Sequence, residues 1–257
     1  MENSVNKARV SIDIGNTRTH IGIIDMEELK CLSRVDISSK DPQEQILQCI
    51  DKLHRKSGTP VDSTVVISSV IESSMKKAMA LFEKEKKSAK QARYTDKLPI
   101  KIDYNNPAQL GTDRIANALF AHFRFPGEIV ALISAGTALT ADLLCEGKFL
   151  GGAILAGPAM QFQTLHKGTD ALPEIKAEGN YRLPGNSTEE CIRAGVLYGT
   201  GGAINSIIHR YEKMVPGNIR VLATGGALPL IADFLDFQYS AIPDMTLLGL
   251  SLFADFL

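Results

Sequence analysis

The chain repeats one short phrase in its two halves. Residues 11–17 read Ser-Ile-Asp-Ile-Gly-Asn-Thr, and residues 131–137 read Ala-Leu-Ile-Ser-Ala-Gly-Thr. In each case an apolar run stops at a turn that carries Gly beside Asn or Thr, and a second apolar run follows at once (20–25 and 138–144). Val10, Ile12 and Ile14 alternate with polar residues, as in a strand with one buried face, whereas 129–133 is the unbroken apolar run of a strand buried on both. This is an internal repeat at the level of supersecondary structure, and strands alternating with helices around it indicate an α/β class.

The rest of each half supplies those parts. In the first, 28–35 and 65–70 read as further strands. Asp41 can cap a helix that has Pro42 at its first position, Glu44 at the third and an apolar stripe of Ile46, Leu47, Ile50 and Leu53. A second helix, from residue 73 to about 90, carries charges of both signs on a solvated face. Phe125-Pro126-Gly127 breaks the pattern, after which come helices at 159–166 and 188–211 and a strand at 219–223. The fold class is therefore α/β with two halves, 1–125 and 126–257.

Charge and cysteine content exclude several functions. The 257 residues carry 28 Lys plus Arg against 29 Asp plus Glu, a net charge of -1, so no basic excess exists to neutralise a nucleic-acid backbone. Cys31, Cys49, Cys145 and Cys191 stand far apart, a spacing that suits neither a zinc site nor a disulfide framework. Cys191 and His166 adjoin candidate site residues but have no partner at metal-ligand spacing, and both read as packing or surface groups. No apolar run reaches the ~18 residues of a membrane span and no leader precedes the first strand, so a cytoplasmic protein acting without membrane or nucleic acid is expected.

Three Gly-containing turns at strand ends are the places where chemistry can sit. Asp13-Ile-Gly15-Asn16-Thr17 offers backbone N–H groups and short polar side chains to phosphate oxygens, and Asp13 could hold Mg²⁺ through its water shell. The same residues also make an ordinary hairpin turn. Gly136 and Thr137 form the matching turn of the second half, and Thr224-Gly225-Gly226 follows a later strand. Neither the G-x-x-x-x-G-K-[ST] pattern nor a G-x-G-x-x-G between strand and helix occurs, which argues against P-loop and Rossmann enzymes. Gly111-Thr112-Asp113-Arg114 opens a helix. There Asp113 reads equally as a first-turn acid or as the acceptor of a hydroxyl proton, with Arg114 as a binder of an anionic group.

The paired turns resemble the phosphate loops and adenosine motif of the acetate and sugar kinase, Hsp70 and actin superfamily, which implies two ribonuclease-H-like halves with an ATP cleft between them. More closely, the chain resembles the type III pantothenate kinases, a family that includes the Bvg accessory factors. The resemblance rests on D-I-G-N-T at 13–17, V-I-S-S-V at 66–70, Y-N-N-P-A-Q-L-G-T-D-R at 104–114 and A-G-T-A-L-T at 135–140. It continues through G-G-A-I-L-A-G-P at 151–158, N-S-T-E-E-C-I-R-A-G at 186–195, A-T-G-G at 223–226 and M-T-L-L-G-L at 245–250.

This resemblance implies ATP-dependent phosphorylation of pantothenate to 4'-phosphopantothenate, the first step of coenzyme A biosynthesis, in a homodimer. Asp13, Gly15, Asn16 and Thr17 would belong to the first phosphate loop, with Asp13 near Mg²⁺. Gly136, Thr137, Gly225 and Gly226 would contact ATP. Tyr104, Gly111, Thr112, Asp113, Arg114 and Thr188 would contact pantothenate, with Asp113 as the proton acceptor. The family's second loop reads Asp-x-Gly-Thr, the Asp being a ligand for an activating monovalent cation (K⁺ or NH₄⁺); here that position is Ser134. The departure leaves a second expectation open, a catalytically weak or silent member acting as an accessory or regulatory protein. A kinase for another small hydroxy acid or amide is a third.

Overall fold

A computed structural model describes residues 8–40, 42–57, 61–179 and 181–257. The chain divides into two units: one holds the chain up to Pro126 with Gly147–Phe149 and Asp244–Leu257, the other Gly127–Glu146 and Leu150–Pro243.

In the first unit β1 (Ala8–Ile14), β2 (Arg18–Asp25) and β3 (Lys30–Ser38) run as an antiparallel meander. Helix α1 (Gln43–Ser57) carries the chain to β4 (Val61–Ser69), parallel to β1, and α2 (Glu72–Lys84) leads to β5 (Ala89–Gln91), parallel to β4. The sheet order is β3-β2-β1-β4-β5. Ile46, Ile50 and Leu53 of α1 and Met75, Ala78 and Phe82 of α2 close over Ile12, Ile14, Ile21 and Ile67 in one core. The Asp41 cap expected for α1 lies outside the described residues. Helix α2 stops short of residue 90: Lys86 takes a positive φ of 53°, which ends the right-handed helix, and the chain re-enters the sheet as β5. A two-residue strand β6 (Lys101–Ile102) and helix α3 (Thr112–Arg124) follow.

The second unit repeats the plan with β7 (Ile129–Ala135), β8 (Ala138–Cys145), β9 (Lys148–Ala156), α4 (Pro158–Lys167), α5 (Thr188–Met214), β10 (Ile219–Thr224), α6 (Leu228–Ile231) and β11 (Ser240–Ala241). Its sheet runs β9-β8-β7-β10-β11, and β6 pairs with Lys148 and Phe149 where β9 starts in the first unit. Strand β7 is antiparallel to β8 and parallel to β10, as β1 is to β2 and β4. Both units are thus the same fold, a ribonuclease-H-like α/β sheet. Ile204 and Ile208 of α5 pack on Ile133, Ala141 and Ala223, which covers one face of the second sheet.

The segment Asp244–Leu257, grouped with the C-terminal half from chain order, belongs to the first unit. Its helix α7 (Met245–Phe253) buries Met245 and every residue from Leu247 to Phe253, so it needs cover on all sides. Part of that cover is α3. Gly249 lies against the Ala116 backbone so closely that a Cβ would overlap it, and the Thr246 hydroxyl donates to Asn117 Oδ1 at 2.9 Å.

Candidate active site

In the first unit the site begins where β1 ends. Asp13 is half-buried and stands in register between His20 of β2 and Ser68 of β4, so the three side chains share one face of the sheet. The turn beyond it is closed by Gly15 N–H donating to Arg18 O at 3.0 Å, and a Cβ on Gly15 would lie 3.1 Å from that oxygen. Asn16 and Thr17 are exposed at its tip.

Two carboxylates meet here. Burial first, and then the charge of Asp113, push the Asp13 pKa from 3.8 up to about 7, against a hydrogen bond from Ser68 and the charge of Arg34. The Ser68 hydroxyl is also 2.7 Å from Thr112 Oγ1, at the first residue of α3. A hydroxyl has one proton, so an ionised Asp13 makes Ser68 the acceptor for Thr112. A strand end and a helix start are thereby tied together one residue from Asp113. At the cap of α3, Gly111 is tight: a Cβ would lie 2.5 Å from Asp113 Oδ1.

Arg114 is buried, with its guanidinium 5.6 Å from the Phe149 ring centroid and 6.0 Å from that of half-exposed Tyr104. Beside this group, Arg34 donates from Nε and Nη2 to both oxygens of Asp36 (2.7 and 3.0 Å) and from Nη1 to Asp244 (2.8 Å). Burial opposes ionisation of Asp36, but its bonds to Arg34 and His20 outweigh that and hold its carboxyl below the ordinary range. Sequence reading assigned no role to Ser68, Arg34 or Asp36. The V-I-S-S-V run was the only signal for Ser68, and Arg34 is placed by pairing across β2 and β3 that no local pattern announces.

In the second unit three glycines shape one end of the sheet. Gly136 N–H donates to Ala138 O at 3.1 Å to close the β7–β8 turn. Gly157, at the start of α4, packs on the Gly136 and Thr137 carbonyls where a Cβ would overlap them, and Gly225 (φ 103°) does the same to the Ala135 backbone. A Cβ on Gly226 meets open space. Gly136, Thr137, Gly225 and Gly226 therefore gather at the end of β7 and β10. Thr188 opens the 27-residue α5, where Glu190 N–H donates to Ser187 Oγ (3.2 Å) and Asn186 N–H to Glu190 Oε2 (3.0 Å). It lines an open cavity of about 980 Å³ with Gln161, Leu165, Cys191 and Val196. The structure thus brings Asp13, Thr112, Asp113, Arg114 and Tyr104 together in one unit and places Thr188 in the other.

Residues 9–210 match the family model of type III pantothenate kinase. The chain belongs to that family. A type III pantothenate kinase of Legionella pneumophila (strain Corby) is 32% identical over 250 residues, 95% of this chain and 96% of that protein. One from Kosmotoga olearia is 30% identical over 247 residues, 95% of this chain and 94% of that protein. Among solved structures, a Campylobacter jejuni protein described as a Baf family transcriptional activator superposes with a TM-score of 0.60 at 17% identity, covering 96% of this chain and 97% of that one. The inorganic polyphosphate/ATP-glucomannokinase of Arthrobacter sp. strain KM gives 0.54 at 16% identity, covering 98% and 99%. Both likenesses show the actin-like ATPase fold.

The first-unit site of this type III pantothenate kinase fits Mg²⁺ bound with a nucleotide. Among the described residues no three His, Cys, Asp or Glu side chains gather as a cage. Mg²⁺ keeps most of its water and takes one or two carboxylates plus phosphate oxygens, so a half-buried Asp13 beside a Gly turn is a suitable donor set. Among the described residues no helix is long and apolar enough to cross a membrane.

Proposed function

We infer that this chain phosphorylates pantothenate on its primary hydroxyl with ATP as donor, the first step of coenzyme A biosynthesis. Family membership and the electrostatically coupled pair Asp13 and Asp113 support this reading.

Asp113 accepts the proton of the acceptor hydroxyl, and Arg114 takes the carboxylate of pantothenate. The buried position of Arg114, against Tyr104 and Phe149, gives the guanidinium a fixed direction. Phosphoryl transfer passes through a loose transition state, so the protein's task is alignment and charge compensation more than strong base catalysis. In the first unit Gly15, Asn16 and Thr17 offer backbone N–H groups and short polar side chains to phosphate oxygens; in the second, Gly136, Thr137, Gly225 and Gly226 form the matching turns. Gly111 and Thr112 set the start of α3 against pantothenate. Mg²⁺ held by Asp13 supplies neutralising charge to the phosphates when bound. The protein works as a cytoplasmic homodimer.

The test is ADP release by purified protein given ATP, Mg²⁺ and pantothenate, with the product identified by mass as phosphopantothenate. Absence of product from folded protein in every salt would refute the assignment. The accessory-protein reading draws on Ser134 alone, and ATP binding without turnover would favour it.

A further inference from the structure

The two units provide an internal comparison at the turn that distinguishes this chain. In the first, the residue two before the turn glycine is Asp13, in register with His20 on β2 and Ser68 on β4. In the second, the residue two before Gly136 is Ser134, in register with Thr140 on β8 and Thr224 on β10. The topological counterparts match strand for strand, so Ser134 occupies the place of Asp13. A row of Asp, His and Ser is replaced by three neutral hydroxyls.

Two of these hydroxyls can be traced. Thr224 gives its proton to Pro243 O at 3.2 Å. Thr140 is 7% exposed, and its buried Oγ1 has no hydrogen-bond partner in the protein. Directly opposite it, Ser134 is half-buried. A buried hydroxyl with no protein partner, beside a half-buried serine, suits one water molecule.

On β8 the carboxylate that shares this face is Asp142, two residues beyond Thr140. Its register partner is Leu132, not Ser134, so its Cα is about 7 Å further from the turn at ~3.4 Å per residue. Asp142 is fully buried and packs under β9, where a Cβ on Gly152 would overlap its Oδ1. A bound cation needs its oxygen ligands in direct contact with it. A carboxylate packed that far down the strand cannot serve the turn.

The monovalent cation implied by the family resemblance therefore does not fit the residues present. We propose that this enzyme turns over without a monovalent-cation activator, its second turn being a neutral site filled by water. The inference rests on the kinase reading for its rate test alone; its binding test is independent of turnover. Pantothenate phosphorylation is measured in KCl, NH₄Cl and NaCl against choline chloride at one ionic strength, alongside thermal midpoints without substrates. Rates within about twofold across the salts, and midpoints that do not separate K⁺ from choline, are expected. A K⁺ or NH₄⁺ stimulation of tenfold or more, or a K⁺-selective rise in the midpoint, overturns the proposal. If no salt supports turnover, the kinase reading fails and the midpoints still decide. Ser134→Asp should acquire a K⁺-selective midpoint shift, while Ser134→Ala should remain indifferent to the salt. A Ser134→Asp protein that folds and stays indifferent would show that position 134 does not determine the response.

Discussion

Asp13 allows a quantitative test that does not depend on catalysis. Its pKa rises from 3.8 to about 7 on folding, so between those values the folded chain holds a proton that the unfolded chain has released. Stability from this group is complete below about pH 4 and is lost as pH rises through about 7. The full difference of about 3 units corresponds to about 4 kcal/mol, of which about 2.5 kcal/mol falls between pH 5 and pH 8. Water reaches a half-buried carboxyl, so an effect of about 1–2.5 kcal/mol is expected. Asn keeps an acceptor for Ser68 and has nothing to titrate. Asp13→Asn should therefore gain on the parent as pH rises.

The assay is the thermal midpoint of both proteins at pH 5 and pH 8, without Mg²⁺ or nucleotide. Every other titrating group is common to the two, so the change in their difference reports Asp13 together with its coupling to Asp113. For a protein of this size, 1 kcal/mol moves the midpoint by about 2–4 °C, so the advantage of Asn should grow by about 2–10 °C over that interval. A difference that stays constant, or that shrinks toward pH 8, would refute the claim that Asp13 is strained by burial and by Asp113. The same substitution should abolish most turnover at pH 8, so stability and activity move in opposite directions, as expected of a site residue.

Further perturbations address the neighbouring parts. Asp113→Asn should lower kcat by about 10²–10⁴ while leaving the fold intact by circular dichroism, the range for loss of a general base; parental activity would remove Asp113 from the chemistry. Because Asp13 holds a proton near neutral pH, Mg²⁺·ATP binding at pH 6.5 should release up to about one proton, measurable by calorimetry in buffers of different ionisation enthalpy. Gly249→Val should lower the thermal midpoint by several degrees, since its Cβ would overlap the Ala116 backbone and force α3 from α7. An unchanged midpoint would mean that the two helices can separate freely.

What local chemistry encodes was legible before any coordinates. The alternation in 10–14, the turn glycines and the apolar stripe of α1 each depend on residues within one or two turns of chain, and all reappear as elements of the fold. The two hairpin phrases likewise return as β1–β2 and β7–β8. The unread features depend on distant pairing. Helix α7 is apolar on every side, and nothing in its own pattern says that its cover is α3, more than a hundred residues earlier. Nothing local marks Arg34, whose guanidinium is bonded by Asp36 of its own strand and by the distant Asp244. Ser68 became meaningful only once β4 lay parallel to β1 and put its hydroxyl between Asp13 and Thr112.

Doubling of the fold also accounts for why one half can lose a charge that the other must keep. At the end of β1 the carboxylate is strained: burial and Asp113 oppose its ionisation, and a pKa near 7 makes it responsive to any cation brought by a nucleotide. At the equivalent end of β7, Ser134 faces Thr140 and Thr224, and no ionised group at that level needs a counter-charge. Replacing Asp by Ser there removes the cost of desolvating an anion and leaves one orphaned hydroxyl, a small penalty that a single water offsets. The position of Gly136 and Thr137 depends on backbone bonds from Gly136 to Ala138 and from Gly157 to Thr137, neither of which involves the side chain at 134. The turn can therefore keep its shape for phosphate oxygens after its charge has gone, whereas removing the charge at 13 would take away a carboxylate electrostatically coupled to Asp113.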